Sequence, residues 1–334
     1  MKKVFITDYI NNPEIEQKVL GDDAKVICLN KKNEEDFPDE IAEADGILVW
    51  HTKITEHTIK KLKKCKAVIR YGVGSDNIDR KALHKYNIPF ANTPDYGVDE
   101  VADTSSALIL NLIRKVNLYN IQTKHKLNEW QSEVINTDKR HPIKRTSEHK
   151  LGIIGLGRIG SALALRMKSF KMQIGFYDPH VPSGYEKVLN IKRFEKIEDL
   201  ASESSIISIN ATLTDETKGM INDNFINLLT ENTILINTAR GAIIENSDVV
   251  LRGLKSNKLA AVGLDVLPKE PPSKNEDLIK SWMDINDPLN TRIIINPHSA
   301  YYSSSSIQEM RTKASKNMLK SLKGEKLLNI IKFE

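Results

Sequence analysis

Three short segments of this sequence collect the residue types used in acid–base and anion chemistry. They are Asn237-Thr238-Ala239-Arg240-Gly241, the run Gly263 to Pro272 with its carboxylates Asp265 and Glu270, and Asn296-Pro297-His298-Ser299-Ala300-Tyr301-Tyr302. Each directly follows an apolar run that reads as a buried strand: Thr233 to Ile236, Ala260 to Leu264 and Ile293 to Ile295. Taken singly, each has a plainer explanation, because an arginine at a strand end is often a surface charge and a loop histidine is usually structural or solvated. On three successive strand ends of one sheet, arginine, carboxylate and histidine together form a candidate site. Glu270, its backbone fixed by neighbouring prolines, would pair with His298, raise the imidazole pKa and fix its tautomer. Arg240 would hold a substrate carboxylate with two parallel bonds. Such a set suits reduction of a 2-keto acid, which needs a proton donor for the forming alkoxide, a cation for the carboxylate and a hydride from a bound carrier.

The carrier has its own signature. Gly155-Leu156-Gly157-Arg158-Ile159-Gly160 is a G-x-G-x-x-G that begins where an apolar strand stops at Ile154. Ile159, Leu163 and Met167 then keep helical spacing, a second strand follows, and Asp178 ends it. Gly155 permits the tight turn, Gly157 lets the backbone approach a pyrophosphate, Gly160 lets helix pack on strand, and the helix N-terminus attracts phosphate. Asp178 would accept from the adenosine ribose hydroxyls and repel a 2′-phosphate, so NAD is the expected cofactor rather than NADP.

These sites need a frame of alternating strands and helices. The first hundred residues supply short apolar runs at Val4 to Ile6, Val26 to Leu29, Gly46 to Trp50, Ala67 to Ile69 and Pro89 to Ala91, with helical patterns between them. A long amphipathic helix is expected over Val101 to Val116 with Asp99 as its N-cap, then a second helical stretch carrying Trp130 and a polar connection from Asn136 to Lys150. A new series opens at Leu151, with strands also at Ile174 to Tyr177 and Ile206 to Ile209, about six strands in all as a dinucleotide fold requires. A last helix, Ile307 to Leu322, is opened by a hydroxyl cap within Ser303 to Ser306. Strands alternating with helices mean doubly wound parallel sheets of the α/β class.

The 334 residues fit about two domains at roughly 150 residues each. Lys and Arg number 49 against 44 Asp and Glu, a net charge of +5 that is mild and spread out, so no nucleic-acid partner is expected. The densest basic stretch, Lys139 to Arg145, reads as a solvated loop. Cys28 and Cys65 are too few for a disulfide framework and lack metal-binding spacing, so no metal is expected and a reducing, cytoplasmic compartment fits. Neither a signal peptide nor an apolar span of ~20 residues opens the chain, and no membrane partner is expected.

Over essentially its whole length the sequence resembles the D-isomer-specific 2-hydroxyacid dehydrogenase family, most closely its C-terminal-binding protein branch. The resembling segments are Val49-Trp50-His51-Thr52, Arg70-Tyr71-Gly72-Val73-Gly74, Asp76-Asn77-Ile78-Asp79, Gly155 to Gly160, Phe176 to Pro179, Asn237 to Gly241 and Pro297 to Ser303. The resemblance implies a Rossmann NAD-binding domain over 99–299 and a flavodoxin-like substrate domain from 1–98 and 300–334. It also implies a catalytic set of Arg240, Glu270 and His298, with His298 as the proton donor. Asp265 would lie near the nicotinamide, and Ala211, Leu213, Thr217, Thr238 and Ala239 along the cofactor. Arg70, Val73 and Gly74 would face the substrate from the other domain, with Tyr301 lining the pocket, and the helices near 99 to 130 would make a homodimer contact.

Several departures bear on specificity. Asn210-Ala211-Thr212 stands where many relatives have His-x-Pro, Tyr301 stands where the branch often has tryptophan, and the 27 residues between Glu270 and His298, including Trp282, form a longer loop that reshapes the rim or is a tolerated insertion. With the sequence ending at Glu334, the regulatory domain of long phosphoglycerate dehydrogenases is not expected. The expected activity is interconversion of a 2-keto acid and a D-2-hydroxy acid. The alternative is a cofactor-gated regulatory or peptide-binding module, which an exposed apolar groove on the N-terminal domain would favour.

Overall fold

A computed structural model describes residues 1–125 and 142–332. Trp130, and Lys139 to His141 of the basic stretch, lie outside the described residues. The chain divides into two compact units, Met1–Gly97 with Tyr302–Glu334, and Val98–Tyr301.

In the first unit, β1 (Lys2–Ile6), α1 (Glu14–Leu20), β2 (Ala24–Cys28), β3 (Gly46–Val49), α2 (Glu56–Ile59), β4 (Val68–Arg70), α3 (Arg80–Lys85) and β5 (Phe90–Ala91) precede the other unit in the chain. The strands form a parallel sheet in the order β2-β1-β3-β4-β5. Its central strands are apolar without alternation because helices cover both faces, and Val4, Phe5, Ile47, Leu48, Val68 and Ile69 are all fully buried.

The second unit opens with α4 (Val98–Arg114) and α5 (Val116–His125), then runs β6 (Lys150–Ile154), α6 (Arg158–Ser169), β7 (Gln173–Tyr177), α7 (Tyr185–Leu189), β8 (Lys192–Arg193), α8 (Ile197–Glu203) and β9 (Ile206–Ile209). It continues with α9 (Asp223–Leu228), β10 (Thr233–Asn237), α10 (Ser247–Lys255), β11 (Leu259–Leu264), α11 (Asp277–Met283) and β12 (Ile293–Ile295). The seven parallel strands follow the order β12-β11-β10-β9-β6-β7-β8, so the chain reverses direction across the sheet at β6, between β7 and β9. Ligands bind doubly wound sheets at the carboxyl ends of the strands flanking such a reversal. The chain then returns to the first unit as α12 (Ser304–Leu322), where Ser303 Oγ accepts from Ser306 N at 2.9 Å as a helix cap.

Four local expectations need correction. The long helix begins at Val98, so Asp99 lies inside its first turn, where its carboxylate pairs with Arg166 Nη2 at 2.8 Å instead of capping. The helix stops at Arg114 because Lys115 turns left-handed (φ 53°), and Val116 belongs to the next helix. Strand β8 was not expected: two charged residues on a sheet edge carry no apolar pattern. The stretch between Glu270 and His298 is not a loose insertion, because α11 buries Leu278 and Ile279 in the core of the second unit and Trp282 packs against that core.

Candidate active site

Parallel pairing brings the three chemical segments to one edge of the second sheet. Asn237 is in register with Leu264, and Leu264 with Ile295, so the residues that follow β10, β11 and β12 emerge side by side. The approach of the Arg240 turn to the Glu270 segment requires glycine, since a Cβ on Gly241 would lie 1.8 Å from Leu267 O. Asn237 braces that turn: its Oδ1 accepts from Ala239 N at 3.0 Å and its Nδ2 donates to Arg240 O at 3.0 Å. The guanidinium of Arg240 donates through Nη1 to Ala239 O at 2.9 Å.

His298 and Glu270 meet directly, with Nδ1 and Oε2 2.8 Å apart and side chains 32% and 37% exposed. Burial pushes the Glu270 carboxyl up, but the hydrogen bond and charge of His298, the Leu267 N–H and the charge of Arg240 together hold it below the ordinary carboxylate range. An ionised carboxylate only accepts, so the Nδ1 facing it carries the hydrogen and Nε2 is left for exchange. Leu267 N donates to Glu270 Oε1 at 2.9 Å, which fixes the second oxygen as well. The Tyr301 ring stands edge-on to His298 with centroids 6.3 Å apart.

Asp265 secures the histidine loop from beneath. Its backbone carbonyl accepts from His298 N at 2.8 Å, and its carboxylate accepts from Ser299 N at 2.9 Å and from Ala300 N at 3.0 and 3.1 Å. These bonds hold His298 in a left-handed conformation (φ 54°). Burial pushes the Asp265 carboxyl above its ordinary range, although the two N–H donors oppose the shift. Both oxygens of this group, expected near the nicotinamide, thus position the loop. The hydroxyl of Thr238 is likewise engaged, 2.8 Å from Ser105 Oγ on α4.

The glycine loop has the shape of a phosphate cradle. Gly155 adopts φ 90°, and a Cβ there would lie 2.7 Å from Ala211 Cα. A Cβ on Gly160 would lie 2.2 Å from Gly155 O, whereas Gly157 faces open space with no atom within 4 Å. Helix α6 begins immediately at Arg158, with partly exposed Ile159 next and no acidic residue in the first turn, so its free N–H groups are available to an anion. Asp178 Oδ2 accepts from Leu156 N at 2.8 Å and Oδ1 from His180 N at 2.9 Å, which leaves lone pairs on both oxygens for ribose hydroxyls. Ala211, Leu213 and Thr217 lie on the loop after β9, braced where Thr217 Oγ1 donates to Thr212 O at 2.6 Å. Ala239, partly exposed, lies beside Arg240.

Arg70, Val73 and Gly74 belong to the first unit, at the end of β4 and the turn after it. Thr93 Oγ1 donates to Arg70 O at 3.0 Å and Asn92 Nδ2 to Val73 O at 2.6 Å, so this turn is firmly held. Sequence reasoning missed the bracing role of Asn237, although an asparagine opening a turn after a strand is its usual signal. Among the described residues no group of histidine, cysteine and carboxylate side chains could hold a metal, and no helix is long and apolar enough to cross a membrane.

A glycine cradle at a strand-order reversal, with a histidine–carboxylate pair on the same sheet edge, is the arrangement of a dinucleotide-binding protein of the Rossmann class. Residues 106–300 match the family model of the D-isomer specific 2-hydroxyacid dehydrogenase NAD-binding domain, and the chain belongs to that family, with NAD as its cofactor. It is 30% identical over 334 residues to a D-3-phosphoglycerate dehydrogenase of Methanocaldococcus jannaschii, covering 99% of this chain and 59% of the relative. It is also 30% identical to C-terminal-binding protein 1 of Caenorhabditis elegans, over 93% of this chain and 42% of the relative. The chain thus spans about half the length of these two relatives, at 59% and 42%. The solved D-lactate dehydrogenase of Aquifex aeolicus, complexed with NAD and lactic acid, superposes with a TM-score of 0.83 at 28% identity, covering 96% of both chains.

Proposed function

We propose that this protein is an NAD-dependent dehydrogenase that interconverts a 2-keto acid and a D-2-hydroxy acid. The observation that carries the reading is the His298–Glu270 pair, 2.8 Å apart on the same strand-end edge as Arg240 and the glycine cradle. His298 is the acid–base residue: its Nε2 gives a proton to the alkoxide during reduction and takes it back during oxidation. Glu270 fixes the tautomer and orients the ring, and Arg240 binds the carboxylate and polarises the ketone. A nicotinamide dinucleotide held by Gly155 to Gly160 and Asp178 would supply the hydride. The relation to a D-lactate dehydrogenase supports the substrate class.

In the same reading the first unit is the substrate domain, contributing Arg70, Val73 and Gly74, with Tyr301 beside His298. The working form is a cytoplasmic homodimer. Support for the dimer is a depression in which Ala107, Leu110, Val116 and Phe170 are rimmed by Asn111, Arg114 and Thr146, with Val116 and Phe170 57% and 44% exposed.

A panel of 2-keto acids with NADH, followed by loss of reduced-nicotinamide absorbance and by chiral analysis of the product, tests the activity. Turnover to the D enantiomer is expected. No turnover of any 2-keto acid, or an L product, overturns it.

A further inference from the structure

Asp178 is not the only charged side chain at the adenosine end of the cradle. His180, two residues beyond it, and Glu216, on the facing loop after β9, approach across the gap between those loops with Nε2 and Oε2 3.8 Å apart. Their side chains are 80% and 79% exposed, so packing does not force them together. The backbones that carry them are fixed: His180 N donates to Asp178 Oδ1 at 2.9 Å, and Arg193 Nη2 donates to Val181 O at 2.9 Å and Pro182 O at 2.8 Å. On the other side Thr214 N donates to Thr217 Oγ1 at 2.8 Å, and Ala211 closes against Gly155. A ribose accepted by Asp178 would lie beside the space these two loops flank, since the carboxylate sits at its edge through its bond to His180 N.

We propose that Glu216 is a specificity-determining residue for the cofactor's ribose, with His180 as its positioning residue. Glu216 adds a second negative charge beside Asp178 that rejects a 2′-phosphate, and the His180 ring, 3.8 Å away, steadies it over the gap between the two loops. The other charged groups on the segments around it are Arg158 at the start of α6, Asp215 and Lys218 beside Glu216, and Arg193, which pairs with Glu186 at 3.2 Å.

The test is calorimetric binding of ADP-ribose and 2′-phospho-ADP-ribose to the full chain at about pH 8, where the 2′-phosphate is fully ionised, at low and high salt. Glu216→Gln should narrow the ratio of the two Kd values by roughly three- to tenfold, the size expected of one exposed charge, with ADP-ribose affinity changing far less than that of the phosphorylated ligand. High salt should compress that difference. His180→Ala, which removes only the contact that steadies Glu216, should narrow the ratio by less than Glu216→Gln does. An unchanged ratio in Glu216→Gln, equal weakening of both ligands, or a larger change in His180→Ala than in Glu216→Gln would each overturn the proposal. Both side chains are exposed, and thermal melting of each variant confirms that it folds.

Discussion

The connection from β1 to α1 in the first unit and that from β6 to α6 in the second are the same step of the same architecture, a central parallel strand leading into a helix. In the second unit the turn takes only Gly155 to Gly157, and the helix opens without an acid, so backbone N–H groups face outward beside open space. In the first unit the connection takes residues 7–13, and the first turn of α1 carries Glu14 and Glu16. There Asp8, 1% exposed, accepts from Trp50 N at 3.1 Å, His51 N at 2.6 Å and Thr52 N at 3.2 Å. The outward N–H groups of that edge are thus satisfied by the protein's own carboxylate. A parallel sheet alone does not make a phosphate site; the strand must pass at once into a bare turn and a helix start free of negative charge.

The largest expected effect separates chemistry from binding on the second unit's edge. His298→Ala should lower kcat by roughly 10²–10⁴-fold with NADH affinity little changed. Steady-state kinetics with fluorescence titration of NADH decides it, and comparable loss of NADH binding would make His298 a cofactor or folding residue. Next, Gly160→Ala forces a methyl group against Gly155 O and should weaken NADH binding by about tenfold or more, on the logic that this glycine permits the close packing of helix on strand. Unaltered affinity would show that the cradle tolerates displacement.

The corresponding change in the first unit should do the opposite. Asp8→Ala leaves three N–H groups without their acceptor and should cost about 2–3 kcal/mol of stability by denaturant midpoint, while NADH affinity stays as in wild type. A change in affinity without loss of stability would break the contrast between the two edges.

The smallest effect concerns pH, where two buried carboxyls, Glu34 in the first unit and Asp265 in the second, shift in opposite directions. Burial pushes the Glu34 carboxyl up, but the hydroxyls of Thr55 and Thr58 and the Thr55 N–H outweigh it and hold the group below its ordinary range. Its contribution is therefore present above the unfolded value near about 4.3 and is lost as pH falls through the lower folded value. Asp265 is shifted upward by burial, so its contribution is fully present below the unfolded value near about 3.9 and declines as pH rises through the folded one. Urea midpoints of Glu34→Gln and Asp265→Asn, each compared with wild type between about pH 3 and 6, should show stability differences that run in opposite directions with pH. For Glu34 the change should be about 1 kcal/mol; parallel curves would refute the assigned shifts.

The amino-acid sequence by itself determined whatever depends on neighbours in the chain. The central strands were legible because a parallel sheet buried on both faces demands uninterrupted apolar runs, as in Ile206 to Ile209. The cradle was legible because turn, helix start and packing glycine are confined to six consecutive residues. Short range also explains the failures: Lys192-Arg193 is too short to carry a pattern, and the left-handed turn at Lys115 has no glycine to announce it. Only the tertiary structure decided that Glu270 and His298, separated by α11 and β12, come within 2.8 Å. It likewise decided that Asp265 holds the histidine loop instead of facing solvent. Those meetings follow from the register of β11 on β12 and from the burial of α11, and both are set by long-range packing that no local spacing encodes.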